Sequence, residues 1–244
     1  MIKAKGILRN LSSLKNKEKS LIFSRFFKTG IGEYGEGDLF LGINVPVLRK
    51  ISRENKEIEL NELKILLSSK YHEARSLASY ILVLKYQKSV KNSSKHEVEE
   101  LFNFYMRNIN CFNNWDLVDL SAPFISGHYF YSFSTKPLKK LLNSKNLWER
   151  RVAILSMFYF IRQKDFSLPV KVIEQRLYDE EDLMHKACGW MLREIGKRDT
   201  SKLLTFLDKH SHSMPRTALR YSIEKLSVKQ KKHYMKQKEL YENR

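Results

Sequence analysis

Residues 148–161 read WERRVAILSMFYFI, and this stretch indicates the fold class most clearly. Its apolar residues recur every three or four positions, which is helical periodicity and not the alternation of a strand. The same spacing runs through five further stretches: Leu60 to Leu67, Ala74 to Leu84, Val98 to Met106, Leu183 to Ile195 and Thr217 to Leu226. The sequence therefore predicts an all-α protein, with no convincing strand.

Glycine and proline positions indicate where these helices begin and end. Five of the nine glycines fall within residues 30–42, and few are left to interrupt the chain after that segment. Later turn signals stand at residues 92–94, 134–137, 167–169, 196–199 and 213–215. We expect ten to thirteen short helices with tight connections.

Five of the predicted helices begin alike, with a polar or basic residue followed by Ala and large apolar residues. They begin near His72, Asn114, Glu149, Leu183 and Pro215. If Arg75, Trp115, Arg151, Lys186 and Arg216 are taken as equivalent points, the steps are 40, 36, 35 and 30 residues. A weak repeat of this size predicts an α-solenoid of helical pairs, in which each pair buries its apolar face against its neighbours. An irregular helical bundle is the alternative that the pattern leaves open.

Charge and composition limit the class of partner. The chain of 244 residues has 45 Lys+Arg against 27 Asp+Glu, a formal charge of +18, so we expect an anionic partner. No stretch approaches the roughly 18 apolar residues of a membrane span, and the first ten residues lack the apolar core of a secretory signal. We expect a cytoplasmic protein, one domain over residues 1–244 with a basic tail at about 228–244. Its two cysteines, Cys111 and Cys188, are expected to be buried fillers.

The glycine-rich segment, residues 30–38, reads GIGEYGEGD and contains the spacing GxGxxG. A dinucleotide site would need a strand before this loop and a helix N-terminus after it. Leu21 to Lys28 looks helical instead, and the three acids of the loop would repel a phosphate. We therefore interpret the loop as a turn that needs positive φ. Tyr34, an aromatic near its tip, is left without a role.

A second motif, residues 113–119, reads NNWDLVD. Asn113 or Asn114 can cap a helix, and Asp116 then lies in its first turn, where the helix dipole favours a carboxylate. Trp115 and Asp119 are four apart and share a face. That face is either solvated or functional, and a half-buried Asp119 would need a partner, for which Arg150 or Arg151 is a candidate.

Further candidates lie later in the chain. Trp190 and Glu194 are four residues apart, as are Trp115 and Asp119, so the spacing of a tryptophan and an acid occurs twice. Arg216 and Arg220 project from one helix face without an acid nearby in sequence, so an anion between them would relieve their repulsion. His210 and His212 have no further ligand near in sequence, so we expect no metal site.

Five segments together resemble the AlkD-like DNA alkylation repair family. They are residues 32–42 (GEYGEGDLFLG), 114–119 (NWDLVD), 148–155 (WERRVAIL), 185–194 (HKACGWMLRE) and 214–217 (MPRT). The match runs in order from about Phe26 to Leu226. The resemblance implies a DNA glycosylase built of HEAT-like helical repeats, with a basic concave groove for duplex DNA. It also implies excision of N3- or N7-alkylated purines, with the damaged base left in the helix.

The resemblance also implies roles for individual residues. Asp119 would be the catalytic carboxylate, and Trp115 and Trp190 would be aromatic walls around the sugar of the lesion. Arg151, or Arg150, would contact a backbone phosphate, and Tyr34 would match a DNA-contacting aromatic. Beyond the resemblance, we expect Lys186, Arg193, Arg216 and Arg220 to bind DNA as well. We expect a monomer that binds duplex DNA containing alkylated purines and uses no cofactor and no metal. The rival hypotheses are a non-catalytic DNA-binding relative of the same fold and a HEAT-type scaffold for other proteins.

Overall fold

A computed structural model describes residues 3–242 and confirms the all-α prediction, with 69% of the chain in helix. Over these residues it has fifteen α-helices and no named strand. The first seven are α1 (Ala4–Ser13), α2 (Lys17–Phe26), α3 (Val45–Glu54), α4 (Leu60–Leu67), α5 (His72–Lys91), α6 (Lys95–Arg107) and α7 (Trp115–Ser121). The others are α8 (Ser126–Ser132), α9 (Lys136–Leu142), α10 (Leu147–Arg162), α11 (Ser167–Arg176), α12 (Asp182–Gly196), α13 (Thr200–His210), α14 (Arg216–Ser222) and α15 (Val228–Glu242).

Two details of the helix prediction were wrong. Fifteen helices exceed the expected ten to thirteen, because helices of seven residues such as α8 and α9 span under two turns and barely establish a period. The helix expected from Thr217 to Leu226 ends at Ser222. Ile223 and Leu226 continue the apolar spacing within the turn that follows, so the spacing extends beyond the helix.

The chain divides into two compact units, Met1–Ile125 and Ser126–Arg244. In the first unit the twenty-residue α5 is the central helix, and α3, α4, α6 and α7 pack against it. Residues 72–79 of α5 are all buried, including polar side chains that need partners. The polar start of α5 thus lies in the core of this unit.

In the second unit, helices that begin with the repeated pattern pack in succession. Helix α10 packs on α12, and α12 packs on α14, while α8, α9 and α11 also lie against α10. The solenoid and the single domain over residues 1–244 stay predictions. The expected basic tail forms α15 as far as Glu242, and residues 243 and 244 lie outside the described part.

The two cysteines differ in burial. Cys188 is fully buried, and burial raises the pKa of its thiol to about 12. Cys111 is only half-buried, so its expected role as a buried filler is partly wrong. Separately, none of the described helices combines the length and the apolar character that a membrane span requires.

The glycine-rich segment is a turn between helices, as predicted. Helix α2 precedes it, and Gly32, Gly37 and Gly42 have φ of 76°, 83° and 82°. At Gly42 a Cβ atom would lie 2.3 Å from the carbonyl oxygen of Asn16, so both the dihedral and the packing require glycine. The loop therefore connects α2 to the core through a close backbone contact.

Three glycine-to-alanine variants separate these two requirements. Gly42→Ala should lower the free energy of unfolding by about 3 kcal/mol, because it combines positive φ with a clash. Gly37→Ala, where nothing lies within 4 Å of the added Cβ, should cost only about 1 kcal/mol. The control Gly6→Ala, inside α1 with open space around it, should be neutral or stabilise by up to about 1 kcal/mol. Urea unfolding measures all three, and equal effects at positions 37 and 42 would contradict the clash.

Candidate functional site

Helix α7 carries the first two candidate residues, Trp115 and Asp119, in one short helix of the first unit. Asn114 is its N-cap, and its side-chain oxygen accepts a hydrogen bond of 2.8 Å from the backbone N–H of Trp115. This confirms one of the two predicted caps. Both candidate side chains are half-buried.

Two phenylalanines at the end of α2 hold the Trp115 indole. The Phe27 ring stacks on it with centroids 5.3 Å apart and planes 21° apart. The Phe26 ring meets it edge-on at 5.9 Å, and Phe26 itself is 61% exposed. One face of the indole is thus covered by Phe27, within an aromatic cluster that reaches the surface.

A buried charge cluster lies beside this helix, centred on His72, the first residue of α5. The Nε2 atom of His72 lies 2.8 Å from Asp116 Oδ2, and Nδ1 lies 3.0 Å from Asp38 Oδ2. Arg75 donates to Asp38 Oδ1 over 2.5 Å, and Asn114 donates to Asp38 Oδ2 over 3.3 Å. Two carboxylates therefore face two cationic side chains, which offsets the cost of burying Asp38, His72 and Arg75 fully and Asp116 in part.

The pKa shifts of the cluster follow from these contacts. Burial disfavours the charged form of His72, but the charge and hydrogen bond of Asp116 and the hydrogen bond of Asp38 outweigh it and raise its pKa to about 9. Burial also opposes ionisation of Asp38, yet His72 and Arg75 lower its pKa. His72 is therefore an imidazolium at neutral pH.

Glu73 holds residues 41–43, which follow the glycine-rich segment. Its carboxylate accepts hydrogen bonds from the backbone N–H groups of Leu41, Gly42 and Ile43, at 2.8, 2.7 and 3.2 Å. A buried carboxylate is satisfied here by main-chain donors alone, and the loop is held against the start of α5.

Sequence reasoning missed the roles of Asp38, His72 and Glu73. Asp38 was counted among loop acids that would repel a phosphate, but it is buried and paired. Asp116 does lie in the first turn of α7, as predicted, and its partner His72 was not foreseen. The available signal was a His-Glu pair at a helix start, followed two residues later by Arg75 in an otherwise apolar run.

Tyr34 contacts the end of α2 and the residues just after it. Its hydroxyl lies 3.5 Å from the carbonyl oxygen of Phe26, and the Lys28 ammonium lies 5.9 Å from its ring centroid. The side chain is half-buried. Its assignment to DNA contact stays a prediction.

In the second unit, the two adjacent candidate arginines differ. Arg150 forms a two-point ion pair with Asp179, through Nε at 2.8 Å and Nη2 at 3.0 Å. Arg151 is 4% exposed, and its Nη1 donates to the carbonyl oxygen of Leu183 over 2.5 Å. Both guanidinium groups thus brace the backbone and side chains that lead into α12.

Helix α12 carries Trp190, which is half-buried with the Phe158 ring 6.1 Å away. Glu194, the acid four residues later, is bound by Lys197 at 2.5 Å and Arg198 at 2.9 Å. These contacts lower the pKa of Glu194 against the opposing effect of burial. Although Glu194 has the same spacing from a tryptophan as Asp119, its carboxylate belongs to a local ion-pair network.

The remaining basic candidates differ in how far acids already hold them. Lys186 pairs with Asp182 at 2.8 Å, and Arg193 pairs with Glu224. Arg216 lies 3.4 Å from Glu239 of α15, an acid that sequence proximity did not reveal. Arg220 is exposed and makes no hydrogen bond or ion pair with the residues that the structure describes. Among these basic candidates, Arg220 is thus the most available to bind an external anion.

The residues described also contain no group of three or more His, Cys, Asp or Glu side chains placed to hold a metal ion. His210 instead hydrogen-bonds Glu174 at 2.9 Å.

Comparisons with known proteins assign the chain to a class. The sequence model of the DNA alkylation repair enzyme family matches residues 7–226, and the chain therefore belongs to that family. Its fold is similar to the solved structure of a predicted DNA alkylation repair enzyme from Enterococcus faecalis, with a TM-score of 0.67 and 20% identity over 88% of this chain and 97% of that one. No curated protein sequence matches the chain. Family membership supports a role in DNA alkylation repair and DNA as the substrate.

The raised pKa of His72 makes the free energy of unfolding depend on pH. The folded state binds the proton up to about pH 9, and an unfolded histidine only to about 6.5. The contribution is therefore complete below pH 6.5 and falls by about 3 kcal/mol as the pH rises to 9. Urea unfolding of the wild type at pH 6, 7.5 and 9 should show this decline. His72→Gln should lose most of it, the exposed control His96→Gln should keep it, and a flat wild-type profile would contradict the ion pair.

Proposed function

We propose that the protein is a monofunctional DNA glycosylase that excises N3- or N7-alkylated purines from duplex DNA. The observation that carries the proposal is the arrangement on α7, where Trp115 and Asp119 lie four residues apart in one helix and the neighbouring carboxylate of Asp116 is matched by His72. Membership of a DNA alkylation repair family supports it.

The chemistry requires one carboxylate and no general acid. Alkylation at N3 or N7 makes the purine cationic, so it departs as a neutral base when the C1′–N9 bond breaks, with the bonding electrons going to the base. Positive charge develops on the deoxyribose, and a carboxylate about 4 Å away at an effective dielectric near 20 contributes on the order of 4 kcal/mol. We assign this role to Asp119, which would also orient the water that forms the new C1′–O bond. The water proton passes to solvent, and an abasic site remains.

Trp115 and Trp190 would add aromatic stabilisation of the same charge. An indole face contributes roughly 0.5 to 2 kcal/mol against a cation. Combined and only partly additive, these contributions amount to a few powers of ten in rate. The proposal includes excision with the damaged base left in the helix, and the mechanism uses no cofactor.

DNA contacts are proposed for seven candidate residues, of which six are basic and one, Tyr34, is aromatic. The basic residues are Arg151, Arg150, Lys186, Arg193, Arg216 and Arg220. Among them Arg220 needs to give up no protein partner in the described part of the chain, whereas Arg150 would have to exchange Asp179 for a phosphate. We therefore expect Arg220 to dominate the electrostatic contribution of α14.

Asp119→Asn tests the catalytic assignment. It should lower the single-turnover rate of 7-methylguanine excision by about 10³-fold, the equivalent of roughly 4 kcal/mol, and leave the Kd for duplex DNA within about twofold. Excision is followed by chromatography of the released base. The control Glu99→Gln, an exposed acid on α6, should leave both quantities unchanged. A full excision rate in Asp119→Asn would remove Asp119 from the mechanism.

A salt titration tests the DNA surface. For the wild type, the logarithm of the binding constant should fall with the logarithm of salt concentration by about 0.9 for each phosphate neutralised. Arg220→Ala should make that slope shallower by about 1, and Arg162→Ala, at the exposed end of α10, should not. Weak and salt-insensitive binding by the wild type would favour a protein scaffold. Salt-dependent binding without excision would favour a non-catalytic DNA-binding protein.

A further inference from the structure

Both ring nitrogens of His72 face carboxylate oxygens, an arrangement that suits a doubly protonated ring. A neutral imidazole has one N–H donor, and its other nitrogen is an acceptor. Here each nitrogen faces a carboxylate oxygen, at 3.0 Å to Asp38 and 2.8 Å to Asp116. With both carboxylates ionised, the imidazolium donates to both, which agrees with the raised pKa of His72.

The two carboxylates belong to different parts of the first unit. Asp38 ends the glycine-rich segment and is held by Arg75 and Asn114. Asp116 lies in the first turn of α7, one residue after Trp115 and three before Asp119. His72 therefore joins α5, the loop and the helix that carries the proposed catalytic residues.

A second contact connects His72 to the indole. The His72 ring contacts the rings of Phe40, at 4.6 Å, and Phe27, at 4.9 Å, and these two phenylalanine rings are 5.0 Å from each other. Phe27 in turn stacks on Trp115. His72 is thus connected to the indole both through Asp116 and through an aromatic cluster.

The ion pair between His72 and Asp116 also affects the electrostatics of α7. Asp116 and Asp119 are three residues apart, so their carboxylates are neighbours on the helix surface and repel each other when both are charged. The imidazolium balances Asp116.

We propose that His72 is a positioning residue for base excision, which fixes α7 by donating to Asp38 and Asp116 and so sets the placement of Trp115 and Asp119. This inference rests on the proposed glycosylase function. Loss of a proton from His72 leaves one N–H donor for two carboxylates, so one of the two links is broken.

The charged groups that face His72 limit how pH acts on it. Among the residues that the structure describes they are Asp38 from the loop, Asp116 from α7 and Arg75 from α5 itself. His72 is the group of this cluster whose pKa is raised to about 9. We expect the excision rate of the wild type to fall above that pH.

Two substitutions of His72 test the hydrogen bonds of its two ring nitrogens separately. In His72→Gln the amide nitrogen can occupy the position of Nε2 and keep the bond to Asp116, whereas in His72→Asn it can occupy that of Nδ1 and keep only the bond to Asp38. His72→Asn should lower the single-turnover rate on a 7-methylguanine duplex at pH 7.5 by about 10²-fold, with Kd for DNA within about twofold, because a displacement of about 1 Å suffices for such a loss. His72→Gln should retain the rate within about fivefold and lose the decline above pH 9. The matched control His96→Asn, an exposed histidine near the start of α6, should match the wild type at every pH.

Nuclear magnetic resonance of ¹⁵N-labelled wild-type protein measures the protonation of the His72 ring directly, so this test does not depend on whether a variant folds. At pH 7.5 both ring nitrogens of His72 should be protonated in the wild type. A neutral His72 ring, or equal rates for His72→Asn and the wild type, would overturn the positioning role even if excision is robust. A wild type that releases no base would instead refute the glycosylase function, and the positioning role with it. If His72→Asn fails to fold, the pH profile of His72→Gln and the protonation of the wild-type ring decide the matter.

Discussion

The first unit depends on one constraint: charged side chains in its core must be paired. Asp38 and His72 are almost fully buried, and an isolated charge at either position would be costly. The chain meets the constraint by drawing a loop acid, two residues of α5 and an acid of α7 into one hydrogen-bonded cluster. The positions of the glycine-rich segment and of α7 relative to α5 follow from that pairing, and so does the placement of Trp115 and Asp119.

The second unit shows why net charge alone does not define a DNA-binding surface. The chain has an excess of 18 positive charges, yet Arg150, Lys186 and Arg193 each pair with an acid that is distant or one turn away in sequence. Such pairs offset the positive charge locally. The electrostatic attraction for a phosphate backbone depends on the remaining cations, and among the candidate residues Arg220 is the one that makes no hydrogen bond or ion pair in the described part of the chain.

Much of the fold could be predicted from the sequence, because the period of apolar residues and the positions of capping residues are local signals. The stretch Leu60–Leu67 is a helix with those bounds, and the cap at Asn114 lies where the motif indicated. The contacts of Asp38 could not be predicted in this way, because its partners lie 34 to 76 residues away and pair with it only when the loop folds back on α5. Glu239 near Arg216 was missed for the same reason.

The candidate site could likewise be predicted from the sequence only where its signals are local. A tryptophan and an aspartate four apart are visible in the sequence, and the family resemblance gave them roles. The imidazolium that balances Asp116 requires three segments to meet, and no local pattern contains it. The most direct test of the whole account is the incubation of purified protein with a duplex that contains a single 7-methylguanine, followed by mass spectrometry of the products. The account predicts one equivalent of free 7-methylguanine and one abasic site per lesion at neutral pH. Intact duplex, with no free base above the spontaneous background, would contradict it.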